Sequence, residues 1–377
     1  MILAYALLLA PALLHAASGA LEPTRLQVAI LQQAASAHVF VDGKIAVVSP
    51  GGRSSPLNWK GEVILRPREE GLILADMRLP SETRLVPRNG ARIRVGPNYH
   101  RGTLILRLDP GQTVSIIEEL SLEDYLEGVL PFEMNPDWPL EALKAQAVVA
   151  RTFTLANMGK FRREGFDLTS DTRSQVYKGL SGVNENVRVA VRQTRGEVLG
   201  FQGKLLHVYY HSCCGGSTTD AAAAWSSSTL SPRPLRGVRD PWCRLSPHMK
   251  WSAHFAWADL TAAISEKRML SGPLYGLKIG SRDAAGYVRT FLAKAGGKTT
   301  EVKAADLRSS LGAGDVKSVR VSRLKITDYG VEFFGSGSGH GVGLCQWGTR
   351  QQALNGRNYD RILHFYFPGA VLSLIDG

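Results

Sequence analysis

Between residues 26 and 120 apolar and polar positions alternate in short runs broken by turn residues. Alternation with period two marks half-buried strands. It predicts strands at Leu26–Leu31, His38–Val41, Ile45–Ser49, Glu62–Arg66, Arg92–Val95, Thr103–Leu108 and Thr113–Glu118. Asp42-Gly43 and Asn89-Gly90 read as hairpin turns, and Pro50–Pro56 as a loose stretch. The period then changes. Leu143, Ala147, Ala150 and Thr154 recur at spacings of three and four, which predicts a helix over Pro139–Met158 with this stripe in the core. Pro139 suits its first turn and Asp137 its cap. Lys144 and Arg151 stand two turns apart on one face. Further on, the pattern predicts a helix at Asn184–Thr194 and a hairpin within Gly196–Ser212. Short helices follow at Leu260–Ser265 and Ala304–Leu311, and two strands within Val316–Gly335. No segment repeats. The expected fold class is α+β, with a β-rich N-terminal region at 21–117 and a mixed region at 118–377.

Residues 2–17 are mostly apolar and small residues follow, so 1–20 reads as a signal peptide, although no Lys or Arg precedes Arg25. No later stretch of 18 apolar residues exists, so no stable membrane span is expected after cleavage. The expected location is the periplasm or cell envelope. The net charge of +12 favours anionic partners. The basic residues are scattered without a run of five, which argues against nucleic acid. The four cysteines, Cys213, Cys214, Cys243 and Cys345, form an even set in a chain read as exported. That suggests disulfides. Cys213 and Cys214 are adjacent and would pair only under strain, which leaves Cys243 and Cys345 as partners. Two alternatives stay open at these residues. One is a metal site that includes His211, with zinc as a candidate ion, and the other a cysteine nucleophile, Cys213 beside His211 or Cys345 beside His340. Neither C-x-x-C nor H-E-x-x-H occurs there.

Glu133 lies among Leu130, Pro131, Phe132 and Met134. Apolar neighbours desolvate a carboxylate and raise its pKa, as a general acid requires. Lys144 and Arg151, if close, would lower it.

Several motifs occur in order. Leu122-Glu123-Asp124-Tyr125-Leu126 precedes Gly128-Val129, Glu133-Met134, Glu141–Ala147 and Ala150-Arg151-Thr152-Phe153. Then come Gln175-Val176-Tyr177, Tyr210-His211-Ser212 with Gly215-Gly216, and Gly339-His340-Gly341 with Gln346-Trp347-Gly348. Together they closely resemble the stage II sporulation protein D / amidase-enhancer (SpoIID/LytB) family over roughly residues 26–375. The resemblance implies a peptidoglycan lytic transglycosylase that cleaves MurNAc–GlcNAc strands to a 1,6-anhydro product, with Glu133 as the catalytic acid. It implies that Tyr177, His211, His340 and Gln346 bind the glycan, and that Lys144 and Arg151 bind it too or orient Glu133. A glycan-binding enhancer of a cell-wall amidase is the alternative, and a cysteine-nucleophile wall peptidase a third. No cofactor is expected for the reaction. Many relatives carry a Cys pair just before the Gln-Val-Tyr stretch that can hold zinc, and this chain has Thr169 and Ser174 near those positions. Ser338 stands where an aromatic is usual, and Cys213-Cys214 where small polar residues are.

Overall fold

The computed structural model describes residues 24–227, 229–266 and 272–375. The expected signal segment lies outside them. Among the described residues no helix is long and apolar enough to cross a membrane. The fold is α+β.

Every N-terminal strand expected from the alternation is present, within an 11-stranded sheet. Arg25–Ala34 pairs antiparallel with Thr113–Ser121, which pairs with Thr103–Asp109. Glu82–Pro87 joins this hairpin to the long pair Ala37–Val48 and Ser54–Arg68. Val39, Val41, Leu65, Leu72, Leu85 and Leu104 pack inside it. Asp42-Gly43 corrects an expectation: it does not turn the chain. Both residues sit inside Ala37–Val48, opposite Lys60 and Trp59. Glycine is needed there because Gly43 has φ +118° and Ala91 presses against its open side. Asn89-Gly90 does turn, with φ of 52° and 77°. The strands on either side of it both pair with Ala37–Val48.

The helices are α1 (Leu122–Glu133), α2 (Leu140–Asn157), α3 (Glu185–Gln193), α4 (Ala221–Trp225), α5 (Trp257–Glu266), α6 (Ala304–Leu311), α7 (Gln346–Leu354) and α8 (Tyr359–Tyr366). The sequence pattern does not predict α1. Ser121 caps it by accepting from the Asp124 N–H, with Glu123 and Asp124 in its first turn. Pro136 and Pro139 then separate α1 from α2, because proline cannot donate to the helical ladder. Pro139, not Asp137, is the α2 cap residue, and it makes no side-chain cap bond. Leu143, Ala147, Ala150 and Thr154 are all buried, as their spacing predicts. Helices α1, α3, α7 and α8 pack around α2.

Residues 251–335 carry a second core. Two three-stranded antiparallel sheets and helices α5 and α6 enclose Leu260, Ile264, Leu277, Phe291 and Phe333. This unit interrupts the main one between two short strands, Tyr210–His211 and Leu344–Cys345. Those two strands pair in parallel, Tyr210 opposite Leu344 and His211 opposite Cys345.

Candidate active site

Glu133 is the last residue of α1. Its carboxyl group is largely buried, and the Tyr210 hydroxyl and the Val176 N–H adjoin it and favour its ionised form. Burial outweighs both and holds its pKa above the ordinary glutamate value. A chain of hydrogen bonds fixes Tyr210 in turn. Gln175 Nε2 donates to Tyr210 Oη at 3.1 Å, and Gln175 Oε1 accepts from Thr154 Oγ1 on α2 at 2.8 Å. The acid is therefore held by α1, the Gln175–Tyr177 segment and the strand Tyr210–His211.

Two expected groove residues have partners within the protein, and for Arg151 this corrects the sequence reading. Arg151 has no exposed surface. Its guanidinium forks onto Glu123, Nε to Oε1 at 2.9 Å and Nη2 to Oε2 at 2.6 Å. It also donates to the carbonyls of Glu197 and Val191. A guanidinium with no accessible surface cannot meet a glycan. Lys144 pairs with Glu141 at 2.6 Å and lies over the Tyr359 ring. Neither cation is among the influences on Glu133. Tyr177 is buried too. It stacks on Tyr125 and donates to Glu118 at 2.8 Å. Glu118 also receives Gly102 N–H at 2.9 Å and faces His100 Nδ1 at 2.6 Å. Burial pushes the Glu118 pKa up, but His100 and these donors together bring it below the usual value.

His211 and His340 do come together, with ring centroids 5.5 Å apart. His211 Nδ1 faces the Val342 carbonyl at 3.0 Å, and its Nε2 is buried without a hydrogen-bond partner. Burial and the neighbouring His340 bring its pKa down to about 3. Burial brings that of His340 down to about 4. Both rings are therefore neutral near pH 7. Tyr209 and the half-exposed Trp225 adjoin His340, at 6.2 and 5.6 Å between centroids. These rings form an aromatic shelf beside the strand that carries Tyr210, and sequence reasoning does not assemble it. Gln346 is buried and donates to Gln146 of α2 at 3.4 Å.

The cysteines also correct an expectation. All four are buried and free. Cys214 and Cys243 stand with Sγ atoms 3.4 Å apart, well beyond bonding distance. The Cys243 thiol is pushed down by the sulfurs of Cys213, Cys214 and Cys345, which surround it. Cys213 is pushed up to about 11 by Cys243. Burial pushes Cys214 and Cys345 up. Thr169 and Ser174, in contrast, offer no thiolates. Their hydroxyls bond each other at 3.3 Å, and Thr169 Oγ1 donates to Asp171 at 2.9 Å. This pair does not suit a zinc ion.

The chain is similar in sequence to known proteins. A family profile described as Stage II sporulation protein matches residues 110–201, which include Glu133 and most of its supports. An uncharacterized protein of Brachyspira hyodysenteriae is 34% identical over 68% of this chain and 68% of its own. The Amidase enhancer of Bacillus subtilis is 30% identical over 66% of this chain but only 40% of its own length. Stage II sporulation protein D of Bacillus subtilis is 30% identical over 69% of this chain and 76% of its own.

Proposed function

The chain belongs to the SpoIID/LytB family, whose named relatives act in sporulation and as an amidase enhancer, and we propose that it is an exported lytic transglycosylase of peptidoglycan glycan strands. The observation that carries this reading is the state of Glu133. It is a carboxyl whose pKa burial raises above the ordinary glutamate value, with Tyr210 and the Val176 N–H beside it and no second acid among the described groups that shift it. Hydrolytic glycosidases generally work with two carboxylates, one of them activating water or attacking the sugar. A lone acid suits a reaction in which the substrate supplies its own nucleophile. Glu133 protonates the glycosidic oxygen as the C–O bond breaks. Its carboxylate then takes the proton of the C6 hydroxyl, which closes on the anomeric carbon and gives the 1,6-anhydro end. The Tyr210 hydroxyl steadies the carboxylate between these steps. The Trp225–His340 shelf offers the flat apolar faces on which sugar rings stack.

The test is digestion of purified glycan strands, with and without stem peptides, followed by mass spectrometry. Anhydro-terminated fragments are expected. Absence of cleavage under all conditions would overturn the reading. The second reading, a glycan-bound enhancer of a separate amidase, is favoured by the name of the Bacillus subtilis relative. It predicts no fragments from this chain alone and faster peptide release when an amidase is added.

A further inference from the structure

The cysteine cluster is built around a centre. One ligand atom each from Cys214, Asp240, Cys243 and Cys345 lie within 4.8 Å of one another. None of the four residues exposes more than 1% of its surface. Zinc–thiolate bonds of about 2.3 Å put tetrahedral sulfurs roughly 3.7 Å apart, close to the 3.4 Å between Cys214 and Cys243. The donors come from three separate segments. Asp240-Pro-Trp-Cys243 spaces two of them as a C-x-x-C knuckle spaces its sulfurs.

The surroundings suit a bound cation. Asp240 is fully buried and forms no ion pair among the described residues. It receives only the Trp242 N–H at 2.8 Å, the Tyr366 hydroxyl at 2.9 Å and the Cys214 thiol at 3.2 Å. A buried carboxylate without a cation is costly. The sulfurs accept backbone N–H groups as metal-bound thiolates do. Gly216 N–H points at Cys214 Sγ (3.4 Å), while Cys214 and Gly348 N–H point at Cys345 Sγ (3.3 and 3.4 Å). Cys345 is also the cap residue of α7, where the helix dipole favours a thiolate.

We propose that Cys214, Asp240, Cys243 and Cys345 bind one zinc ion that staples the two halves of the main unit across the inserted 251–335 unit. Three soft thiolates and one carboxylate in a closed tetrahedron select zinc over calcium or magnesium, and leave no open position for catalysis. Cys213 touches Cys243 and Cys345 from the side and pairs its backbone with Ser338, so it is a neighbour of the ion. The consequence reaches the candidate acid. The ion ties Cys214, four residues after Tyr210, to Cys345, the strand partner of His211. It thereby fixes the strand that carries the hydroxyl on Glu133. Metal binding stands whether or not glycan is the substrate.

The experiment uses the full chain purified under reducing conditions. Elemental analysis should find one zinc per chain. Exchange into cobalt should give the near-ultraviolet thiolate-to-cobalt charge-transfer band and the visible bands of a tetrahedral ion. Stripping the metal should lower the melting temperature. The double variant Cys214→Ser/Cys345→Ser should lose the metal, Asp240→Asn should hold it more weakly, and Cys213→Ser should keep full stoichiometry. The proposal is overturned by metal-free protein with all four thiols titratable, or by a disulfide found in its place. It is equally overturned by a cobalt spectrum without charge transfer, or by zinc retained in the double variant. The cobalt spectrum of the unaltered chain decides the matter even if the variants do not fold.

Discussion

Arg151 and Glu123 form a forked ion pair across 28 residues of sequence, with both bonds at 2.9 Å or less and the guanidinium wholly buried. The pair joins α1 to α2, and the remaining donors of Arg151 tie in Glu197 and the end of α3. Removing one partner of a buried pair strands the other, at a cost of about 3–5 kcal/mol. Glu123 keeps 18% of its side chain exposed, so the lower end applies. Arg151→Ala is therefore expected to destabilise by about 3 kcal/mol in urea unfolding. A loss below about 1 kcal/mol, the range of a surface pair, would contradict this role.

Lys144→Ala should do little. Its partner Glu141 sits on the same helix three residues away, and such pairs contribute at most about 1 kcal/mol. Turnover of glycan should stay at the unaltered level. A tenfold fall would return Lys144 to the groove.

Glu133→Gln should retain the fold and lose about 10²–10⁴-fold in glycan turnover, since the amide cannot donate the acid proton. The pH dependence has a definite sign. Burial raises the folded-state pKa of Glu133, so between its unfolded and folded values the folded chain binds the extra proton. Its stability contribution is present at low pH and is lost as pH rises through the folded value. Turnover falls over the same upper limb as the acid ionises. Stability of Glu133→Gln, measured against the unaltered chain, should therefore rise with pH across this window. A difference that stays flat with pH would show that Glu133 is not protonated by burial.

Tyr210→Phe removes the hydroxyl that pulls the Glu133 pKa down. The descending limb of the pH–rate profile should move to higher pH, and turnover should fall because the carboxylate loses its guide. Gln175 Nε2 also loses the acceptor it has at 3.1 Å, so a modest loss of stability, about 1 kcal/mol, is expected in chemical unfolding. An unmoved limb would separate Tyr210 from the acid.

Much of this layout is legible in local pattern. Alternation located the N-terminal strands, and the 3–4 spacing of Leu143, Ala147, Ala150 and Thr154 placed the buried face of α2 correctly. The apolar run around Glu133 announced the raised pKa that burial produces. Helix α1 escaped because Pro131 and Gly128 lie within it and obscure its period. Asp42-Gly43 misled because a turn dipeptide also serves where a strand needs φ above zero against a close neighbour.

The sequence by itself determined the elements, their buried faces and the presence of an acid in apolar company, because propensity and periodicity act between residues a few positions apart. Which charge meets which was decided only by tertiary structure. Arg151 shares a helix face with Lys144, yet it turns inward to Glu123 because α1 folds back on α2. The four cysteines are spread over 133 positions. They converge because Tyr210–His211 and Leu344–Cys345 pair in parallel and the loop carrying Asp240 and Cys243 packs beside them. Pairings of that separation depend on the whole path of the chain, and no local spacing encodes them.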